Sequence, residues 1–226
     1  MKPRLLDLFC GAGGAGTGYH RAGFEVVGVD HLPQKHYPFE FHLADALEFL
    51  AKHGHEYDAI HASPPCQAYS IATPLTSRGN HPRLISDTRA ALKGSGRPWV
   101  IENVPGAPLR ADFKLCGKQF GLPLSRIRLF EINWDGFVLS PPMLYEGDVI
   151  TVCGHGTPTW AKKKLGRNPR IYEKREAMGI DWMNRDELCQ AIPPAYTEFI
   201  GRQLIRQLTG GARTLEGGGE TRWKSK

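Results

Sequence analysis

Apolar and polar positions alternate along the first hundred residues in short blocks punctuated by glycine, proline and aspartate. Arg4 to Phe9 (Arg-Leu-Leu-Asp-Leu-Phe) predicts a strand, and Cys10 to Gly16 is a glycine-rich turn. Thr17 to Ala22 predicts a helix that stops at Gly23, and Phe24 to Val29 a second strand ending in Asp30. This is the start of a βαβ unit. A third unit runs through Leu43-Ala44-Asp45-Ala46 into a short helix, Leu47 to Lys52. The apolar run Tyr57 to Ile60 predicts a strand cut short by Ser63-Pro64-Pro65-Cys66-Gln67, because each proline fixes its φ and lacks an N–H for the ladder. Arg97 to Ile101 predicts another strand, which delivers Glu102-Asn103-Val104. The run Phe120 to Phe130 predicts a further strand on which Arg126 and Arg128, two apart, face one side. Helices are expected over Arg175 to Asn184 and Ala195 to Leu208, the second with Tyr196, Phe199, Ile200, Leu204 and Leu208 as its packing face.

The order of elements predicts an α/β fold: an open, mostly parallel Rossmann-like sheet flanked by helices, with a small irregular or β-rich insertion. Two segments break the alternation. Ala68 to Arg89 is a long polar stretch holding Arg78, His81, Arg83 and Arg89, the composition of a mobile functional loop. From 131 to 172 the chain carries paired prolines, many glycines and the run Lys162-Lys163-Lys164, beside Arg167 and Arg170. The expected organisation is a main domain over 1–130 and 173–208, an insertion over 131–172 and a flexible tail over 209–226.

Composition narrows the chemistry. The 226 residues carry 29 Lys and Arg against 23 Asp and Glu, an excess of 6 positive charges that favours a polyanionic partner. The five cysteines (Cys10, Cys66, Cys116, Cys153 and Cys189) are widely spaced and form no CxxC pair, so neither a disulfide framework nor a zinc knuckle is indicated. Cys153-Gly154-His155 has no second ligand pair, and no metal is expected. No apolar run is long enough to span a bilayer, so no membrane association is expected.

Gly11, Gly13 and Gly16 fit the spacing G-x-G-x-x-G, and Asp30 follows 19 residues after Gly11, placed to accept ribose hydroxyls. The motif indicates a nucleoside-containing cofactor without saying which: NAD, FAD and S-adenosylmethionine all remain open. At the same sheet edge Cys66 offers a soft nucleophile, Glu102 a proton or hydrogen bond for a ring nitrogen, and Arg126 and Arg128 fixed donors for a carbonyl. That set suits addition of a thiolate to an electron-poor heteroaromatic ring.

Asp7-Leu8-Phe9-Cys10-Gly11-Ala12-Gly13-Gly14, Pro64-Pro65-Cys66-Gln67, Glu102-Asn103-Val104 and Arg126-Ile127-Arg128 resemble, in order, the motifs of the DNA (cytosine-5) methyltransferases. Arg175-Glu176 and Ile192-Pro193-Pro194 resemble the last two motifs, so the likeness runs from residue 4 to 208. The resemblance implies the class I fold of S-adenosyl-L-methionine-dependent methyltransferases, with double-stranded DNA as partner and methyl transfer to C5 of a flipped-out cytosine. It implies Cys66 as nucleophile, Glu102 on the cytosine N3 and amine, Arg128 on O2, and Arg126 bracing the catalytic loop or thiolate. Phe9, Gly11, Ala12, Gly14, Asp30, His31, Asp45 and Ala191 would hold the cofactor, with Asp45 on the adenine amine (its own sequence position also reads as a plain helix cap). Gln67, Ser70, Arg78, Arg83 and Lys162 to Lys164 would meet DNA, with 131–172 as target-recognition region. A cytoplasmic monomer in a bacterial or phage-infected cell is expected.

The chain departs from the family pattern at Leu124-Ser125 (Gln expected), at Cys189-Gln190-Ala191 (Gly-Asn expected) and at His31 (a larger aromatic expected). Alternatives left open are an RNA cytosine-5 methyltransferase and a DNA-binding protein with a decayed cofactor site. A dinucleotide-dependent oxidoreductase fits the glycines but leaves Pro-Pro-Cys and the arginine pair without roles. If the lysine run meets DNA, neutralising Lys162, Lys163 and Lys164 should weaken binding and flatten its dependence on salt, measured by titration at several salt concentrations. An unchanged slope would place the run on a solvated face.

Overall fold

The computed structural model describes residues 1–70, 73–152 and 166–210. Seven strands form one sheet: β1 (Arg4–Leu8), β2 (Glu25–Asp30), β3 (Glu40–Leu43), β4 (Ala59–Ala62), β5 (Trp99–Asn103), β6 (Phe113–Leu115) and β7 (Arg128–Ile132). Their spatial order is β3-β2-β1-β4-β5-β7-β6. Strands β1 to β5 run parallel, and β7 is antiparallel to both β5 and β6. The strand order reverses between β1 and β4, which opens a crevice at the carboxyl ends of those two strands.

Alternation in β1 sends neighbouring leucines to opposite faces. Leu5 joins Phe24, Val26, Val100 and Phe130 beneath α1 (Gly14–Ala22) and the C-terminal helix α6 (Pro194–Leu208). Leu6 and Leu8 join Val27, Val29, Ile60, Trp99 and Ile101 beneath α2 (Ala46–His53) and α3 (Ile85–Ser95). A smaller apolar cluster ties Ala12 of the glycine turn to Leu124, Val152, Met178 and Leu188. It is built around α4 (Ile171–Met178) and α5 (Arg185–Gln190).

Several expectations are corrected. The helix expected over 175–184 starts earlier, at Ile171, and stops at Met178, because Gly179 takes a left-handed conformation (φ 66°) that ends α4. Asn184 begins α5, its side chain accepting from the Asp186 and Glu187 amides. The polar stretch expected as loop to Arg89 becomes helical at Ile85, whose side chain is buried with Thr88 and Leu92. Helix α1 begins at Gly14, three residues early, after a left-handed Gly13. The strand expected over 120–130 begins only at Arg128, so Arg126 stands outside it. Within 131–172 the described residues show isolated bridges, Phe120 with Met143 and Leu124 with Ile150, while Glu131 and Ile132 complete β7. Lys162 to Lys164 and the tail from 211 lie outside the described residues.

Helices α1 and α6 approach backbone to backbone. The Thr197 hydroxyl donates to the Ala15 carbonyl at 2.8 Å, and a Cβ on Gly18 would overlap Thr197 Oγ1 and the Pro194 carbonyl. Gly18→Ala should therefore destabilise the protein by about 1–3 kcal/mol through overpacking. The expected reading is a loss of roughly 2–4 °C in Tm per kcal/mol, with Gly79→Ala, where a Cβ meets nothing within 4 Å, unchanged.

Candidate active site

Four chain segments meet at the crevice. The first is the turn after β1. Phe9 has φ 56°, uncommon for a residue with a Cβ, and Gly11 and Gly13 follow at 49° and 84°. This left-handed run turns the chain sharply from strand into α1. A Cβ on Gly11 would meet nothing within 4 Å, so that face of the turn is open. On its other side the turn is held: Trp182 Nε1 donates to the Ala12 carbonyl at 2.9 Å, and Ile192 leaves no room for a side chain on Gly14.

The second segment ends β2. Asp30 is buried, and its carboxylate accepts from the Gly11 amide at 3.1 Å and the Leu32 amide at 3.0 Å. The third follows β4. The Cys66 carbonyl accepts from the Tyr69 and Ser70 amides, closing a turn behind the two prolines. Asn103 on β5 locks that turn, donating from Nδ2 to the Pro64 carbonyl at 2.8 Å while its Oδ1 accepts from the Val104 amide. The fourth is the start of β7. Because this strand runs backwards, its first residue, Arg128, lies at the edge where the parallel strands end. Its Nε is 2.8 Å from Glu102 Oε1, an ion pair that leaves Oε1 without an aligned hydrogen bond among the described residues.

Together these segments line a cleft of about 520 Å³. Of the residues expected in the site, Cys66, Glu102 and Arg128 line it, as do Phe9, Gly11, Ala12, Gly14, Asp30, His31, Ala191 and Gln67. The other expected residues that the structure describes lie outside that lining. Arg126 is buried outside the cleft, its guanidinium donating to the carbonyls of Val152, Cys189 and Ala191. It braces the C-terminal segment, because it lies before the strand and does not share Arg128's side. Asp45 is likewise outside the lining, and its Oδ1 caps α2 by accepting from the Leu47 and Glu48 amides. Arg78 turns back onto its own loop, donating to the Thr73 carbonyl at 3.0 Å, and Arg83 is exposed beside lining residues His81 and Pro82. Ser70 sits in the turn beyond Cys66.

Asp7, Gln34, Asn184, Asp186, Glu187 and Gln190 also line the cleft and were not expected. Asp7 was hidden inside an apolar strand, Asn184 at the end of an expected helix, and the α5 residues beyond it, where a turn was expected. Glu187 closes the rim by pairing with His36 at 2.8 Å.

The electrostatics divide the cleft. Asp30, Asp186 and Glu187 give the glycine-turn end an acidic lining, while burial holds the Asp7 carboxyl well above the usual carboxylate range and leaves its Oδ1 without a hydrogen-bond partner among the described residues. That lining suits a cation and opposes a pyrophosphate, so it fits S-adenosylmethionine better than a dinucleotide. At the other end, burial pushes the Glu102 carboxyl above its usual range, opposed by Arg128, a hydrogen bond with Ser63, and Arg126. Burial also raises the Cys66 thiol, the Glu102 charge raises it further, and Arg128 and Arg126 pull it back. Each group thus ionises more easily when the other is neutral. Among the described residues no group of three or more His, Cys, Asp or Glu could hold a metal ion, and no helix is long and apolar enough to cross a membrane.

The family model for C-5 cytosine-specific DNA methylases matches residues 3–110, a span that holds the glycine turn, Asp30, Cys66 and Glu102. The chain belongs to that family. Among its methylase relatives, Type II methyltransferase M.AplI of Arthrospira platensis is 30% identical over 193 residues, 70% of this chain and 55% of the relative. Type II methyltransferase M.FnuDI of Fusobacterium nucleatum is 36% identical over 114 residues, 46% of this chain and 33% of the relative. The chain thus spans about half the length of the first relative and a third of the second. The Dnmt2 methyltransferase of S. pombe superposes with a TM-score of 0.60 at 15% identity, covering 92% of this chain and 99% of that one. The Entamoeba histolytica methyltransferase EhMeth gives 0.57 at 14%, covering 95% and 100%. At such identities these two establish the methylase fold alone.

The mutual influence of the thiol and the carboxyl yields a measurable consequence. In Glu102→Gln one charge that raises Cys66 is gone, so the pH midpoint for alkylation of Cys66 by iodoacetamide, read by peptide mass spectrometry, should move down from the wild-type value. An unmoved midpoint would mean that Glu102 carries no charge near the sulfur.

Proposed function

We propose that the protein transfers a methyl group from S-adenosylmethionine to C5 of a cytosine everted from double-stranded DNA, through a transient bond between Cys66 and C6. The observation that carries this reading is the meeting of Cys66, Glu102 and Arg128 at one end of a cleft whose other end is the open glycine turn. A stacked cytosine cannot reach such a recess, so the base must leave the duplex, at a cost of a few kcal/mol.

The residues would act as follows. Phe9, Gly11, Ala12, Gly14, Asp30, His31 and Ala191 hold the cofactor, with Asp30 placed for hydroxyls and the acidic lining for its positive charge. Asp45 and Arg126 belong to the supporting frame. When bound, S-adenosylmethionine supplies an electrophilic methyl group. At the base, Glu102 in its acid form gives a proton to N3 while the Cys66 thiolate adds to C6, leaving C5 as an enamine carbon that takes the methyl group. Loss of the C5 proton to solvent water, expulsion of the thiolate and return of the N3 proton to Glu102 restore the aromatic ring and both side chains. The proton on Glu102 serves twice, since neutralising that carboxylate also removes a charge that opposes the thiolate. Arg128 holds Glu102 and offers its guanidinium to the cytosine carbonyl.

The loop after Cys66, with Gln67, Ser70, Arg78 and Arg83, and the segment 131–172 with Lys162 to Lys164, would supply DNA contacts. The main domain would comprise 1–130 with 173–208.

Tritium from methyl-labelled S-adenosylmethionine should enter cytosine-containing duplex DNA and leave RNA unlabelled. Label in RNA alone would overturn the choice of nucleic acid, and label in neither would overturn the reaction. Cys66→Ser should abolish transfer while keeping the wild-type Tm. Glu102→Gln should lower turnover by roughly 10²–10⁴, the range for loss of a general acid, with cofactor affinity little changed; equal losses in both would argue that Glu102 only supports the fold.

A further inference from the structure

Behind Glu102 lies a chain of buried polar groups that the proposed reaction leaves without a role. His61 is the one imidazole inside the apolar strand β4 and is wholly buried. Its Nδ1 is 3.0 Å from the Tyr19 hydroxyl, itself wholly buried on α1, and its Nε2 is 2.8 Å from Ser63 Oγ. Ser63 in turn hydrogen-bonds the Glu102 carboxylate. The chain runs from a helix through a strand to the floor of the cleft, crossing three elements to reach one carboxyl group.

Its direction follows from hydrogen-bonding capacity. Among the described residues the Tyr19 hydroxyl has His61 Nδ1 as its acceptor, so the phenol donates and Nδ1 carries no proton. The neutral ring then carries its proton on Nε2, which donates to Ser63 Oγ, and the Ser63 proton is left to point at Glu102. Burial, which pushes the imidazole pKa down to about 3, keeps the ring neutral. The reverse direction would leave the buried phenol proton without an acceptor.

We infer that His61, with Tyr19 behind it, is a positioning residue for Glu102: it holds the Ser63 hydroxyl as a one-way donor to the carboxyl group, so that the acid proton is kept for the cleft. An untethered serine could turn and accept that proton instead. The inference rests on the reading that Glu102 gives a proton to the base. Glu102 Oε1, beside Arg128 and lacking an aligned donor, is the oxygen left facing that task.

Other charges act on the same groups. Arg128 on β7 and Arg126 before it lower the Glu102 pKa, and Cys66 follows β4. Asp7 on β1 pairs in register with His61, and Tyr196 on α6 feels the Glu102 charge. None of these replaces the Ser63 donor.

The test uses the whole protein, duplex DNA and single-turnover methyl transfer across pH. Tyr19→Phe and His61→Leu should each slow the transfer step roughly three- to tenfold, the worth of one buried hydrogen bond, without a matching change in the DNA Kd. The inflection set by Glu102 should move to higher pH, because a donor to its charged form is no longer fixed. His61→Gln, which can donate to Ser63 and accept from Tyr19, should recover most of the rate. Independently of activity, nitrogen-15 NMR of labelled histidine should show His61 as the neutral Nε2–H tautomer at pH 7. If the wild type transfers methyl groups but Tyr19→Phe and His61→Leu match its rate and pH profile, the inference fails. It fails equally if NMR shows the Nδ1–H tautomer or a charged ring. Should His61→Leu not fold, Tyr19→Phe and the NMR signal decide. An inactive wild type overturns the proposed function, and the NMR signal still decides the direction of the chain.

Discussion

Glu102 is a carboxyl group sealed into the floor of a cleft, and its solvation dictates what surrounds it. A carboxylate taken out of water without partners would be too costly to hold, and one fully paired would be too stable to give up a proton. The structure sits between these limits. Arg128 approaches one oxygen without an aligned hydrogen bond, and Ser63 supplies one hydrogen bond. Burial still prevails over both, so the group keeps its proton to higher pH than an exposed glutamate. The reversed strand β7 is what makes this possible. A parallel strand would have sent Arg128 to the opposite edge of the sheet.

The same requirement accounts for the frame. If Arg128 is to stand beside Glu102, the chain before β7 must be anchored away from the cleft. Arg126 does this by giving its guanidinium to three carbonyls, two of them in the segment that runs into α6. The Tyr196 hydroxyl completes the tie by donating to the Arg126 carbonyl at 2.7 Å. That segment presses Ile192 against Gly14, so the turn at the acidic end and the ion pair at the other are held by one stretch of chain. Buried arginines of this kind are costly to desolvate, and multiple carbonyl acceptors offset that cost.

Much of this arrangement was legible in the sequence, for a local reason. Short apolar runs announce strands, and Asp30, Cys66 and Glu102 each follow such a run. Arg128 was legible as a site residue, whereas its separation from Arg126 was not. Spacing puts i and i+2 on one side only if both lie in the strand, and the start of β7 is set by pairing with β5 and β6. Asp45 shows the converse: its local reading as a cap already gives the contacts that are observed. The buried helix in 85–95 was masked by polar neighbours, since only Ile85, Thr88 and Leu92 face inward.

Asn103 and His61 mark the boundary of what sequence carries. Both sit within apolar strands, where a polar residue is conspicuous but its partner is not. Asn103 bonds Pro64, 39 residues away, and His61 bonds Tyr19, 42 away. A polar group inside a sheet must be satisfied by something, and that obligation can be stated from the sequence alone. What satisfies it depends on which helix crosses the strand. Here α1 crosses, held close by its glycine contacts with α6. The approach that brings Tyr19 to His61 is thus fixed by small residues far from the cleft. Packing between two helices on one face of the sheet thereby reaches the acid in the cleft through two rings and a hydroxyl.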